Sequence, residues 1–222
     1  MAQPESVSRI EYFRAPMQGF EVDDVPGAPL DLFRDWLAAA VASGLPEPTA
    51  ATLATVDDAG QPSVRTILVK GVDARGFRFF TNYQSRKGRE LAGSGLGALL
   101  FPWHAMHRQV SVRGRCQRLS RSESEAYFAS RPRGAQLGAW ASRQSQEVSR
   151  EELDARVAAL AEQFGEAPIP MPDHWGGYLL VAESVEFWVG RYSRLHDRIE
   201  YRRQAPGDLD DPAAWTRRRL SP

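Results

Sequence analysis

Four short stretches of the chain concentrate side chains able to hold an anion or move a proton. In RTILVK, Arg65 and Lys70 bracket an apolar run of Thr66, Ile67, Leu68 and Val69. At about 3.3 Å per residue the two ends lie roughly 16 Å apart, enough to run beside an extended cofactor. Their odd spacing puts them on opposite faces of an ideal strand, so one ligand could meet both only across a bulge, a twist or a strand end. Without such a feature the pair is a solvated strand boundary. In SRKGRE, Arg86 and Lys87 follow a strand and open a short helix, where unpaired amide donors and two cations suit a phosphate. A charged helix face explains the same residues. In YFASRPR, Tyr127 and Arg131 are four apart and share one helical face, and a phenol beside a guanidinium makes a phosphate grip. Pro132 disfavours helical geometry at Arg131, so the pair sits where that helix ends, and the arginine must outweigh the helix dipole there.

The fourth stretch, EFWVGRYSRLHDR, packs Trp188, Arg194, His196 and Arg198 into a short space. On an extended strand the last three alternate onto one face, with Asp197 pointing the other way. Three such groups on a core strand require a ligand or carboxylates to neutralise them. Other signals weaken on inspection. Gly93, Gly95 and Ala98 match a dinucleotide fingerprint, but a helical stretch precedes them and a strand follows, the reverse of what that motif needs, so they mark a turn. His104 and His107 have no nearby carboxylate or thiol to complete a metal site. Cys116 falls on the inward side of an alternating strand, as an inert core thiol would.

The elements that must position these groups are mostly strands. Segments 51–56, 63–70, 76–83, 98–101 and 108–119 carry strand-type composition separated by turn signals, and Val110, Val112 and Cys116 alternate with polar residues in the last. Two further strand segments follow at 176–188 and 198–203. Leu30, Phe33, Leu37 and Val41, widened by Trp36 and Ala40, mark a helix ending near Gly44. Ser120 with Glu123 opens a second helix as a capping box, and Ser149 with Glu152 opens a third whose Leu153, Val157, Leu160 and Phe164 share a face. APIPMP at 167–172 is a linker, and residues 1–28 are a flexible arm before one domain at 29–222. Strands follow strands without helical crossovers, so the sheet is expected to be antiparallel and nearly closed. The formal net charge is zero, which removes any global attraction to nucleic acid or an anionic membrane and makes any anion site local. A single cysteine, no secretory pattern and no apolar run long enough to span a bilayer make the cytoplasm the expected compartment.

Several long words in order, RTILVK, FFTNYQSRKGREL, FPWHAMHRQV, YFASRPRGAQLGAWASRQS, WGGY, EFWVGR and RLHDR, with RRRLSP at the end, resemble the pyridoxine (pyridoxamine) 5′-phosphate oxidase family from about residue 9 onward. The resemblance implies a mainly β, α+β fold, the FMN-binding split β-barrel, acting as a homodimer with two cofactor sites at the subunit interface. It implies FMN contacts along Arg65 to Lys70, with Arg65 towards the phosphate, and at Phe80, Thr81, Arg86, Lys87, Gln109, Gln144, Ser145, Trp188 and Arg198, some reaching the partner's cofactor. Substrate phosphate would meet Lys70, Tyr127 and Arg131. Arg194 and His196 would act at the pyridine ring, with His196 either exchanging protons or only orienting. Arg9 and Tyr12 would belong to a segment covering the site. Ala135 stands where the family often carries a serine, and alanine cannot donate a hydrogen bond. The implied reaction converts pyridoxine 5′-phosphate or pyridoxamine 5′-phosphate to pyridoxal 5′-phosphate, with O2 as acceptor and H2O2 as product. A phenazine-type FMN oxidase, or a protein that binds FMN or pyridoxal phosphate without turnover, are the alternatives.

Overall fold

Among the described residues, alternation of apolar and polar side chains builds eight strands, and the sheet they form closes on itself. The computed structural model describes residues 21–222, so Arg9 and Tyr12 lie outside the described residues. The strands are β1 (Ala50–Val56), β2 (Pro62–Asp73), β3 (Gly76–Asn82), β4 (Leu96–Trp103), β5 (Arg108–Arg118), β6 (Trp175–Val189), β7 (Asp197–Arg203) and β8 (Trp215–Arg219). They neighbour one another in the order β3-β2-β1-β4-β5-β6-β7-β8, every pair antiparallel, and an added β3–β6 pairing closes the first six into a barrel. The antiparallel split-barrel α+β fold expected from the sequence is the fold observed. Five helices flank it: α1 (Pro29–Ala42), α2 (Arg86–Ser94), α3 (Arg121–Ala129), α4 (Arg133–Ala141) and α5 (Arg150–Phe164). Among the described residues no helix is long and apolar enough to cross a membrane.

Two apolar clusters hold this together. In the larger, α1 buries Leu30, Phe33, Trp36 and Ala40, whereas Val41 is exposed, so the residues that widen the stripe are the ones that pack. Phe33 meets Phe77 of β3 and Phe101 of β4 edge-on, each at 5.0 Å between centroids. Val25 and Ala28 join the same cluster, so the stretch 21–28, arm-like in composition, is anchored to the core at these two residues. The smaller cluster gathers Phe128, Leu137 and Trp175 with Ile169 and Met171. The proline-rich linker is therefore part of a core, and Trp140 Nε1 donates to the Pro170 carbonyl at 2.8 Å.

Local signals place the helix ends. Ser85, Ser120 and Ser149 each accept a backbone N–H as N-caps, and Gly95 ends α2 at φ +66°, so one glycine of the apparent nucleotide fingerprint is a helix cap while Gly93 lies within α2 rather than in a turn. One expectation is corrected. Arg194 does not lie on an extended strand with His196 and Arg198: Tyr192–Arg194 form a 3-10 turn, Ser193 and Arg194 take φ of +56° and +62°, and β7 begins only at Asp197. Left-handed backbone at two non-glycine residues breaks the alternation that extended geometry would give.

Phe33→Ala should cost about 3–5 kcal/mol through the cavity left among three rings. Thermal melting should show a fall of roughly 10 °C for a chain of this size; an unchanged melting temperature would mean that α1 is not anchored through this ring.

Candidate functional site

The cationic side chains singled out from the sequence do not converge on one place. Those that line a cleft divide between two clefts with no lining residue in common. The first cleft, about 460 Å³, is walled by Thr66, Ile67, Leu68 and Lys70 of β2, Phe80 and Thr81 of β3, Lys87 of α2, Tyr127 and Arg131 around the end of α3, Ala135 and Gly138 of α4, Gln144, and Trp175 of β6. The volume falls within the usual range for a small-molecule site.

Lys70 enters this cleft on the face of β2 that Thr66 and Leu68 also present, and β2 carries a bulge there. Val69 pairs with Phe79 and Gly71 with Arg78, so Lys70 is the extra residue opposite no partner. Arg65, by contrast, does not line the cleft. Its guanidinium donates to the Leu53 carbonyl at 3.1 Å, to Thr55 and Ser63, and to Glu90 at 3.2 Å. Arg86 joins the same carboxylate at 2.9 Å. Burial alone would push the Glu90 carboxyl up, but hydrogen bonds from Thr55, Ser63 and Arg86, with the Arg65 charge, hold it at about 2. Two of the α2 N-terminal donors are also engaged, since Arg86 N–H donates to Ser145 Oγ at 3.1 Å and Gly88 N–H to Ser85 Oγ at 3.2 Å. Lys87 therefore carries the helix's contribution to the cleft. Its Nζ donates to Gln144 Oε1 at 2.8 Å. Burial, followed by the charge of Arg65, lowers its pKa to about 8 against the opposing pull of Glu90.

Aromatic rings set the opposite wall. Phe80 stacks on Tyr127 at 3.9 Å and on Trp175 at 5.5 Å, and Arg131 lies 4.8 Å over the Trp175 ring. Burial raises the Tyr127 pKa, while the Arg131 charge opposes the rise. Arg131 Nη1 is buried without a hydrogen-bond partner. A buried donor of this kind costs free energy unless an acceptor arrives, so the cleft suits an oxyanion. Tyr127 and Arg131 do share a face, as their spacing implies.

The second cleft, about 760 Å³, is lined by His104, His107, Arg108, Gln109, Trp188, Arg194 and His196. Gln109, Trp188 and Arg198 stand in register across β5, β6 and β7. Arg198 nevertheless turns to Glu186, with paired contacts of 2.9 and 3.0 Å, and to the Ser221 carbonyl at 2.8 Å, so it does not line the cleft. The His196 ring lies 4.6 Å from that of Trp188. Burial and then the Arg194 charge lower the His196 pKa, opposed by Asp197. Trp175, Ala139 and Ser142 in the first cleft and His104, His107 and Arg108 in the second were not foreseen as site residues. All of them lie inside the family words: Trp175 opens WGGY, His104, His107 and Arg108 fall in FPWHAMHRQV, and Ala139 and Ser142 fall in YFASRPRGAQLGAWASRQS.

Residues 37–164 match the family model described as pyridoxamine 5′-phosphate oxidase. The chain belongs to the pyridoxamine 5′-phosphate oxidase family. Residues 175–222 match the model for the C-terminal dimerisation region of pyridoxine 5′-phosphate oxidase, so β6 through β8 are the part matched to that region. A Burkholderia lata protein named pyridoxine/pyridoxamine 5′-phosphate oxidase is 52% identical over 215 residues, covering 96% of this chain and 97% of the relative. A Cupriavidus necator protein of the same name is 54% identical over 200 residues, covering 90% and 91%. Among solved structures, PhzG from Burkholderia lata, in complex with tetrahydrophenazine-1-carboxylic acid, is similar at a TM-score of 0.83 and 35% identity, covering 90% of this chain and 96% of that one. A Nostoc punctiforme FMN-binding protein related to the family shares the fold at a TM-score of 0.68 and 19% identity, covering 86% and 97%. Family membership makes this chain an oxidase-type enzyme.

Glu90 yields a test of the charge cluster behind the first cleft. Its folded pKa of about 2 lies below the ordinary 4.5, so its stabilisation is complete above pH 4.5 and lost as pH falls towards 2. Glu90→Gln should lower stability at pH 7 by on the order of 2 kcal/mol and flatten the loss of stability between pH 4.5 and 2. Melting curves across that range with equal slopes in both proteins would exclude Glu90 as the anchor.

Proposed function

We propose that this chain is an FMN-dependent oxidase that converts pyridoxine 5′-phosphate or pyridoxamine 5′-phosphate to pyridoxal 5′-phosphate, with O2 as acceptor and H2O2 as product. The observation that carries the reading is the buried, unpartnered Nη1 of Arg131, in a cleft shared with Tyr127 and Lys70. Such a donor set binds a phosphate and has little use for a ligand without one. The curated relatives at 52–54% identity that carry the name of this activity support the same substrate class.

FMN fits the remaining lining, and when bound it would supply the hydride acceptor and its reoxidation by O2. Lys87, with Gln144 and Thr81 beside it, would hold the flavin phosphate, and the backbone of Thr66, Ile67 and Leu68 would run along the ring system. Arg65 and Arg86 act through Glu90, and Arg65 also through its field on Lys87. Lys70, Tyr127 and Arg131 would bind the substrate phosphate and so fix where its C4′ carbon lies. The Phe80–Tyr127–Trp175 stack excludes water on one side, which strengthens each of these charge contacts.

The second cleft belongs to the same reading through a second copy of the chain. Trp175 and Trp188 stand at opposite ends of β6, roughly 43 Å apart along an extended strand. One small ligand bound to one chain would therefore not touch both clefts. A homodimer in which Gln109, Trp188, Arg194 and His196 of one subunit complete the cleft of the other joins them, and the matched dimerisation region supports it. Within that site Arg194 and His196 would meet the pyridine ring. We extend the reading to the arm, with Arg9 and Tyr12 covering the bound substrate.

A phenazine-type activity is the second reading, favoured by the likeness to PhzG and by Ala135, which puts a methyl group where a hydroxyl would add a phosphate contact. Oxygen consumption with each phosphorylated vitamer and with a carboxylated tricyclic amine separates the two. The phosphates should turn over with one H2O2 per O2, and Arg131→Ala should raise their KM about 10- to 100-fold. Turnover of the tricyclic acid alone, or a parental KM in the variant, would overturn the assignment.

The cofactor half has its own test. A flavin phosphate is already fully ionised above pH 7, so any further pH dependence reports Lys87. FMN affinity should fall as pH rises through about 8, as Lys87 loses its proton. Fluorescence titrations should show this fall abolished in Lys87→Met; a parental pH dependence in that variant would remove Lys87 from the flavin phosphate.

A further inference from the structure

The turn between β6 and β7 is closed by one bond from its backbone to a ring nitrogen. Arg191 N–H donates to His196 Nδ1 at 3.0 Å. An imidazole that accepts at Nδ1 and is neutral must carry its proton on Nε2. Burial and the Arg194 charge both favour the neutral ring. The turn itself does not hold that geometry cheaply. Ser193 and Arg194 sit at φ +56° and +62°, a conformation that persists only where surrounding contacts determine it.

Those contacts start from a buried carboxylate. Asp197 is 2% exposed and forms the last β6–β7 rung with Val189. One of its oxygens lies 2.8 Å from Arg191 Nε, and the other takes Arg219 of β8, which also pairs with Glu21 at 3.0 Å. At the far end of the turn, Gly190 N–H donates to the His107 carbonyl at 2.8 Å. Arg191 is thus fixed by its side chain to the strand at Asp197 and presents its backbone to the residue just before it.

We propose that Arg191 is a positioning residue whose ion pair with Asp197 holds the turn so that its own N–H fixes His196 in the Nε2–H tautomer. His196 then serves as a hydrogen-bond donor to an acceptor atom of the bound substrate. The tautomer stands on the geometry alone; only the donor role rests on the oxidase reading. In that role the ring orients the pyridine without accepting its proton, because the nitrogen that could accept is already occupied.

The chain has four histidines, so the His196 ring can be assigned in 15N-labelled holoenzyme by comparison with His196→Asn. Parent protein should show one Nε2–H tautomer with Nδ1 in the acceptor range. Arg191→Ala should give ring shifts averaged between tautomers and slow single-turnover flavin reduction about 10-fold, within the range known for a misplaced group, with FMN affinity unchanged. Arg191→Lys, which keeps the ion pair, should restore both. If Arg191→Ala does not fold, Asp197→Asn removes the charge at constant shape and must produce the same averaging. Parental ring shifts in Arg191→Ala, with or without a loss of melting temperature, would overturn the proposal, as would an Nδ1–H tautomer in the parent. A single Nε2–H tautomer lost in Arg191→Ala, in protein that turns over neither phosphate, would uphold the positioning role and overturn the oxidase reading instead.

Discussion

Strand β6 is the constraint on which the rest of the molecule depends, because three other strands pair with it. Residues 175–180 close the barrel on β3, the stretch from Tyr178 to Val189 pairs with β5, and Ser184–Val189 carry β7. A strand used on both edges must be continuous and apolar, and its burial is nearly complete from Trp175 to Leu180. Its two ends are where the chemistry gathers. Trp175 forms part of the aromatic wall of one cleft and Trp188 stands beside His196 in the other. Barrel closure and cleft placement are one structural fact.

Charge is distributed by the same economy. The chain is neutral overall, and its buried carboxylates each gather arginines: Glu90 takes Arg65 and Arg86, Glu200 takes Arg113 and Arg218, Asp197 takes Arg191 and Arg219. Among the described residues no ion pair reaches Lys70, Lys87 or Arg131. All three cations that line the first cleft are therefore left for an anionic ligand. A neutral protein can present a local anion site in this way because pairing elsewhere cancels the field that would otherwise draw in nucleic acid.

Much of the fold was legible because local rules and tertiary structure agree. Period-two alternation located β5, and serine caps located α3 and α5. β8 escaped, since TRRR on an edge strand shows no apolar period to read. The turn at 192–194 escaped because nothing in YSR announces left-handed backbone at a serine and an arginine. In the site, the shared face of Tyr127 and Arg131 and the cationic character of Lys70 were legible from residue chemistry and spacing. Arg65 was not, because its partner Glu90 lies 25 positions away and is brought near only by packing of α2 against the barrel. Sequence spacing can propose a ligand for a cation, but competition from a distant carboxylate is visible only in three dimensions.

The bulge at Lys70 also bears on how sequences of this kind can vary in length. Upstream of it, β2 runs in register with β1 from Pro62 to Leu68; downstream, Gly71 to Asp73 run in register with β3. Gly71 is packed closely enough that a methyl group there would lie 2.6 Å from the Arg78 guanidinium. Loss of the extra residue would restore an ideal ladder, with Gly71 still opposite Arg78 and Val72 still opposite Phe77, and would cost the cleft its lysine. The exposed turn at 57–61 bears no such burden. Length differences among related chains should therefore accumulate in that turn, while the spacing from Arg65 to Arg78 stays constant even where the residues between them change.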